Sequence, residues 1–169
     1  ALAVNADLTY VQVKWNNDVY YLAESRLDEL EGDKEIIKKC KGIDLKNKKY
    51  SPLLDFGLLT KEEIEKAYYV LSADFVSADD GSGIVHIAPA FGEDDARMGN
   101  EFGLPFLQPV KPDGTYDENV SHWKGLFVKD ADPKIIKYLK ENHSLIKSGK
   151  YKHTYPFCWR CDRPLIYYV

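Results

Sequence analysis

The sequence predicts an α+β domain, a β-barrel-like body with short peripheral helices. Strand-like runs mix with short helical runs, without the regular alternation of a doubly wound sheet. There is no internal repeat or low-complexity stretch. Apolar residues make up 44% of the 169 residues, with 12 Tyr, 7 Phe and 3 Trp, enough for one core of ordinary size.

The first element is a hairpin. Residues 8–15 and 18–23 are β-rich runs separated by Asn16-Asn17, a turn-forming pair. Residues 25–41 are charged and carry Leu27, Leu30, Ile36 and Ile37, and Gly32-Asp33 divides them into two expected short helices. Gly42 to Tyr50 reads as a strand and turn, and Pro52 then forces a loop. Lys61 to Lys66 forms a helical turn, residues 67–71 and 75–76 read as strand, and residues 79–83 as a tight turn. A strand over 84–88 ends at Pro89. Glu93 to Phe102 opens with three acids, which suit the positive end of a helix dipole, and closes against Gly103 and Pro105. Residues 112–115 are a turn, and residues 131–142 are a helix with Pro133 in its first turn. Composition changes near Ser148-Gly149-Lys150, which predicts a main domain over 1–149 and an aromatic, cysteine-bearing tail over 150–169.

Charge and composition exclude several classes. A net charge of −4 leaves no broad basic surface, so contact with nucleic acid is expected to be local, and DNA is not an expected partner. No apolar run approaches the ~20 residues of a membrane span, and the first residues lack a signal pattern, so the expected location is the cytoplasm, away from membranes. Three cysteines are too few and odd in number for a secreted disulfide scaffold.

The most informative stretch is Gly81-Ser82-Gly83-Ile84-Val85-His86-Ile87-Ala88-Pro89-Ala90-Phe91-Gly92-Glu93-Asp94-Asp95. Its two leading glycines allow close backbone approach, so a ligand could lie against the turn formed by Gly81, Ser82 and Gly83. Strand periodicity sets His86 on one face with Ile84 and Ala88. A histidine among apolar neighbours is a packing residue more often than a functional one, and acids in a first helical turn are common caps. What raises both above that reading is their conjunction. A strand carrying His86 and a returning helix carrying Asp95 can converge on one pocket, with an imidazole wall and an anion for a cationic group.

This stretch resembles the Gly-Thr-Gly-Ile-Val-His-x-Ala-Pro-Ala-Phe-Gly-x-x-Asp signature of isoleucyl-tRNA synthetase editing domains, which are inserted as a connective peptide into a class I catalytic domain. The resemblance continues through residues 21–27, 50–55, 113–114, 129–132 and 153–160, in the family's order, so it covers nearly the whole chain. Valyl enzymes usually carry lysine where His86 stands.

The resemblance implies post-transfer editing, in which the ester of valine to tRNA(Ile) is hydrolysed by one domain of an isoleucine–tRNA ligase. It implies that His86 shapes the side-chain pocket and that Asp95 holds the substrate's α-ammonium. The expected partners are the 3′ end of the mischarged tRNA and the rest of the synthetase. No cofactor is expected in this domain, because the adenylate signatures are absent and ATP and magnesium belong to the parent's catalytic domain. Ser82 stands where the family usually has threonine and keeps the hydroxyl. The family's threonine-rich peptide precedes the position of Ala1, so hydrolysis by this chain alone is expected to be impaired. The competing reading is a non-catalytic RNA-binding or structural module, in one form zinc-dependent.

That zinc form rests on Cys158 and Cys161, which have the spacing of half a zinc site, with His153 as a candidate third ligand. Two reduced thiols without metal are the expectation. Cys40 has no base near it in sequence and is read as incidental, and His122 and His143 are read as loop residues without a role.

Overall fold

A computed structural model describes residues 1–79, 81–149, 156–162, 164 and 165. Its strands are β1 (Leu2–Val4), β2 (Thr9–Trp15), β3 (Asp18–Ala23), β4 (Lys34–Lys41), β5 (Val70–Ser72) and β6 (Val85–His86); its α-helices are α1 (Lys61–Ala67), α2 (Glu93–Phe102) and α3 (Val128–Glu141). Short 3-10 turns at Glu24–Glu29 and Gly42–Leu45 follow β3 and β4.

The mixed α+β architecture is as expected, but among the described residues the strands do not close into a barrel. They form two three-stranded sheets, β5-β1-β6 and β3-β2-β4. In the first, β1 pairs parallel to β5 and antiparallel to β6, with Leu2 opposite both Val70 and His86. The second is an antiparallel hairpin extended by β4.

Alternation along β1 divides the core. Ala3 faces Leu71, Ile87, Met98 and Leu104 beneath α2, whereas Val4 faces Tyr10 and Ala23 of the other sheet and Leu45 of the 3-10 turn after β4. Tyr10 joins the two layers. It is fully buried, donates its hydroxyl hydrogen to the Gly83 carbonyl at 2.8 Å and accepts from the Asn5 N–H at 3.1 Å, so no polar atom of the phenol is left unpaired. A third, aromatic cluster of Trp123, Phe56, Tyr116 and Tyr138 packs α3 against its neighbouring loops.

The hairpin turns through Asn16 and Asn17, both at positive φ, as a two-residue connection between right-twisted strands requires. Thr60 and Glu63 cap α1 reciprocally. Gly103 ends α2 at φ 62°.

Residues 34–41, expected as a second short helix, form β4 instead. All but Cys40 are exposed, so there is no buried stripe to stabilise a helix, while the open edge of β2 offers a full ladder of backbone partners from Thr9 to Trp15. Residues 42–50, expected as strand and turn, are a 3-10 turn followed by a segment that runs beside β5, where Val70 N–H donates to the Lys48 carbonyl at 3.0 Å and Tyr50 N–H to that of Tyr68 at 3.1 Å. The strands expected over 67–71 and 84–88 shrink to Val70–Ser72 and Val85–His86, because their shared neighbour β1 is itself only three residues long. Residues 75–76, expected as strand, belong instead to a turn in which the Val76 N–H donates to the Ala73 carbonyl at 3.3 Å. The last helix begins three residues earlier than expected, where Asp130 and Ala131 N–H groups bond the Phe127 carbonyl, and this places Pro133 inside it. The expected boundary at Lys150 and most of the tail after it lie outside the described residues.

Candidate functional site

Strand β6 and helix α2 bring His86 and Asp95 together through a tight connection. Pro89 ends the strand, Phe91 N–H closes a turn on the Ala88 carbonyl at 2.9 Å, and Ala96 N–H starts the helix on the Gly92 carbonyl at 2.8 Å. Helix α2 packs so closely on that turn that a methyl group at Gly99 would stand 2.8 Å from the Pro89 ring. Asp95 lies on the first turn of the helix, half-buried, and its Oδ1 accepts from the Ala88 N–H at 2.9 Å. The helix start favours the anion, and the hydrogen bond fixes its direction.

Gly92 is extended, at φ −167°, a conformation open to any residue. Its lack of a side chain matters for another reason: a Cβ there would lie 2.5 Å from Asp95 Oδ2. Gly92→Ala is therefore expected to displace the carboxylate while leaving the fold intact, and a crystal structure of the variant checks this. An undisturbed Asp95–Ala88 bond would count against the close-approach argument.

His86 forms one wall of a cavity of about 220 Å³, mostly apolar, that is also lined by Leu59, Tyr68, Phe91, Leu104 and Leu107. Although His86 is a solvent-exposed residue, the atoms crowded around its imidazole lower its pKa from 6.5 by desolvation, and the Asp95 carboxylate opposes this. Backbone hydrogen bonds between Ala1 and Ile87 hold this edge of the cavity: the Ala1 nitrogen donates to the Ile87 carbonyl at 3.2 Å and the Ile87 N–H to the Ala1 carbonyl at 2.8 Å. The imidazole thus lies in the field of Asp95, and in its neutral form it neither repels a cation nor competes for the carboxylate.

The sign of the pH dependence follows. With a folded-state pKa below the unfolded value of about 6.5, His86 contributes stability that is present above that value and lost as pH falls through the folded pKa. An NMR titration of the His86 ring should give a midpoint below 6.5, and His86→Gln should remove this acid-side loss of stability.

The other three predicted residues lie elsewhere. Gly81 and Ser82 line a second cavity, of about 550 Å³, with Tyr20, Leu22, Arg26 and Ile146. The cations around it are already engaged. Arg26 donates to the carbonyls of Gly81 and Asp79 and to Glu29, and Lys147 donates to Glu29 at 2.9 Å. Gly83 is buried at φ 72°, and a Cβ there would meet the Ala23 side chain at 2.5 Å, so the close neighbour this glycine admits is β3. The Ala23 N–H, donating to Ser82 at 2.8 Å, ties the turn to that strand. The turn therefore joins the two sheets, while His86 and Ala88 line a separate cavity and Asp95 is tied to the Ala88 N–H beside it.

Cys158 and Cys161 are free thiols, and backbone N–H groups of Arg160 and Cys161 hold the Cys158 thiol below its ordinary pKa. Among the described residues no three His, Cys, Asp or Glu side chains gather as a metal site, and His153 lies outside the described residues. Two thiols do not match the four ligands of a structural zinc. Cys40 packs at the edge of the Tyr10 cluster. His122, expected in a loop without partners, stacks edge-on with Tyr138 at 5.3 Å and contacts Phe56 and Trp123. No described helix is long and apolar enough to cross a membrane.

Tyr68, Leu59 and the 104–109 segment were not foreseen as cavity residues. Nothing in their local pattern marks them, because they reach the cavity only through tertiary packing.

Three relatives share much of this sequence. The chain is 48% identical over 168 residues to an isoleucine–tRNA ligase of Clostridium acetobutylicum, 46% over 170 to one of Bacillus thuringiensis, and 46% over 167 to one of Thermoplasma volcanium. These matches take in 99%, 100% and 99% of the chain, which spans only 16% of the length of each relative. No protein-family model matches. In structure, the chain resembles the crystal structure of GlLeuRS-CP1, with a TM-score of 0.63 at 17% identity over 89% of this chain and 78% of that one. The likeness is one of fold.

Proposed function

The chain belongs to the isoleucine–tRNA ligase family as one segment of a longer enzyme, and we propose that this segment is the editing domain that hydrolyses valine from mischarged tRNA(Ile). The observation that supports the reading is a small apolar cavity lined by His86 and Ala88, with the Asp95 carboxylate fixed beside it by the Ala88 N–H. A free amino acid esterified to tRNA presents an aliphatic side chain and an α-ammonium, and these two features answer them in turn.

The need for such a module is energetic. Valine lacks one methylene of isoleucine, a difference worth only about 1–3 kcal/mol in an apolar pocket, so a first binding step discriminates too little. A second cavity that excludes the larger side chain corrects the error. Asp95 orients the substrate through its ammonium, and His86, neutral at pH 7, limits the space for the side chain. A water molecule then adds to the ester carbonyl, the carbon–oxygen bond to the ribose breaks, and the proton released by the water goes to the ribose oxygen. The amino acid leaves as the carboxylate, the second proton of the water passing to solvent. Positioning, with no covalent enzyme intermediate, supplies the rate.

Calorimetric titration of the chain with a non-hydrolysable valyl-adenosine analogue tests the reading. Saturable binding, stronger for the valyl than for the isoleucyl analogue, is expected. Equal binding of both, or none of either, would leave a structural or RNA-binding module as the better account.

A further inference from the structure

We propose that the lysine-rich ribbon from Lys34 to Lys49 binds the phosphate backbone of the RNA whose aminoacylated end enters the His86 cavity, an inference that rests on the editing reading. The ribbon holds seven lysines and two acids, a local charge of +5 inside a chain of net charge −4. All seven lysines are exposed. An exposed basic strip on a chain of net negative charge draws a polyanion toward that strip, which orients the encounter as well as strengthening it.

The fold makes the strip continuous. β4 is the outer strand of its sheet, and the segment that follows runs beside β5, the outer strand of the other sheet. One stretch of chain thus edges both layers. At its end, Tyr50 N–H donates to the Tyr68 carbonyl at 3.1 Å and the two rings meet edge-on at 5.7 Å. Tyr68 lines the His86 cavity. An RNA strand following the lysines is therefore led to the cavity rim.

Several of the lysines already have protein partners. Lys39 pairs with Glu24, Lys49 with Glu65, and Lys34 and Lys41 donate to the carbonyls of Leu30 and Asp7. Lys38, Lys46 and Lys48 make no side-chain hydrogen bond or ion pair among the described residues. Lysines on an edge strand also discourage edge-to-edge association. That role accounts for Lys38 but not for Lys46 and Lys48, which lie beyond the strand.

The test is a titration of the chain with fluorescently labelled deacylated tRNA(Ile) at several salt concentrations, comparing the wild type with K38Q/K46Q/K48Q and a control, K134Q/K137Q/K140Q, on α3. The ribbon variant should bind at least about tenfold more weakly at low salt, and its log–log salt slope should fall by about one per lysine removed. The control should stay close to wild type. No binding by the wild type, equal losses in both variants, or self-association of the ribbon variant with unchanged RNA affinity and slope would each overturn the proposal. Because this probe carries no amino acid, its outcome is separate from that of the valyl-adenosine titration. Selective analogue binding with an unaltered slope would defeat the ribbon alone, and the reverse result would defeat the editing reading and with it the claim that the RNA is led to the His86 cavity.

Discussion

Asp95→Asn should lower both the affinity for a valyl-adenosine analogue and the hydrolysis of Val-tRNA(Ile), measured in an isoleucine–tRNA ligase carrying this segment, by about 10- to 100-fold. The substitution keeps an oxygen that can accept from the Ala88 N–H, so the local turn survives and only the negative charge is removed. A hydrogen bond to a charged group contributes about 1.5–3 kcal/mol, and each ~1.4 kcal/mol is a factor of ten. The loss should also depend on the substrate's charge. An analogue with its α-amino group removed should bind wild type and variant alike, and a variant that still preferred the amine-bearing analogue would show that another group holds the ammonium.

His86→Ala should produce the other large effect, on selectivity more than on rate. Removing the imidazole from the wall of a cavity of about 220 Å³ opens room for a larger side chain, so the enzyme should begin to hydrolyse correctly charged Ile-tRNA(Ile). Discrimination of one methylene in an apolar pocket is about 10- to 200-fold, and the variant's ratio for valine over isoleucine should fall toward unity. Deacylation of both charged tRNAs, side by side, measures this. A variant that lost activity on valine and still spared isoleucine would assign His86 to the reaction itself and the size limit to another wall, with Phe91 and Leu107 the first to examine.

How much of this was legible depended on the range of the interactions concerned. The hairpin through Asn16-Asn17 and the helices at 61–67 and 93–102 depend on caps, turn residues and periodicity, which act over a few positions and are written locally. The closeness of His86 and Asp95 was likewise readable, because a proline and a glycine leave the chain between them little choice but to return on itself.

Pairing and enclosure are different. Lys34–Lys41 has a pattern that either a solvated helix or an edge strand tolerates, and only the unfilled ladder of β2 decided between them. Gly81, Ser82 and Gly83 adjoin His86 in sequence, yet the packing of Ala23 and Arg26 against them turned that segment into a joint between sheets.

By itself, the sequence determined the family, the α+β class, and most local turns and helices. Tertiary structure alone decided that the strands form two separate sheets, that Tyr68 and the 104–109 segment complete the cavity, and that a lysine-rich stretch borders both sheets on the way to it. The reason is physical. Backbone preference and capping are properties of neighbours along the chain, whereas a cavity wall or a sheet edge exists only when segments tens of residues apart bury apolar surface and satisfy hydrogen bonds together.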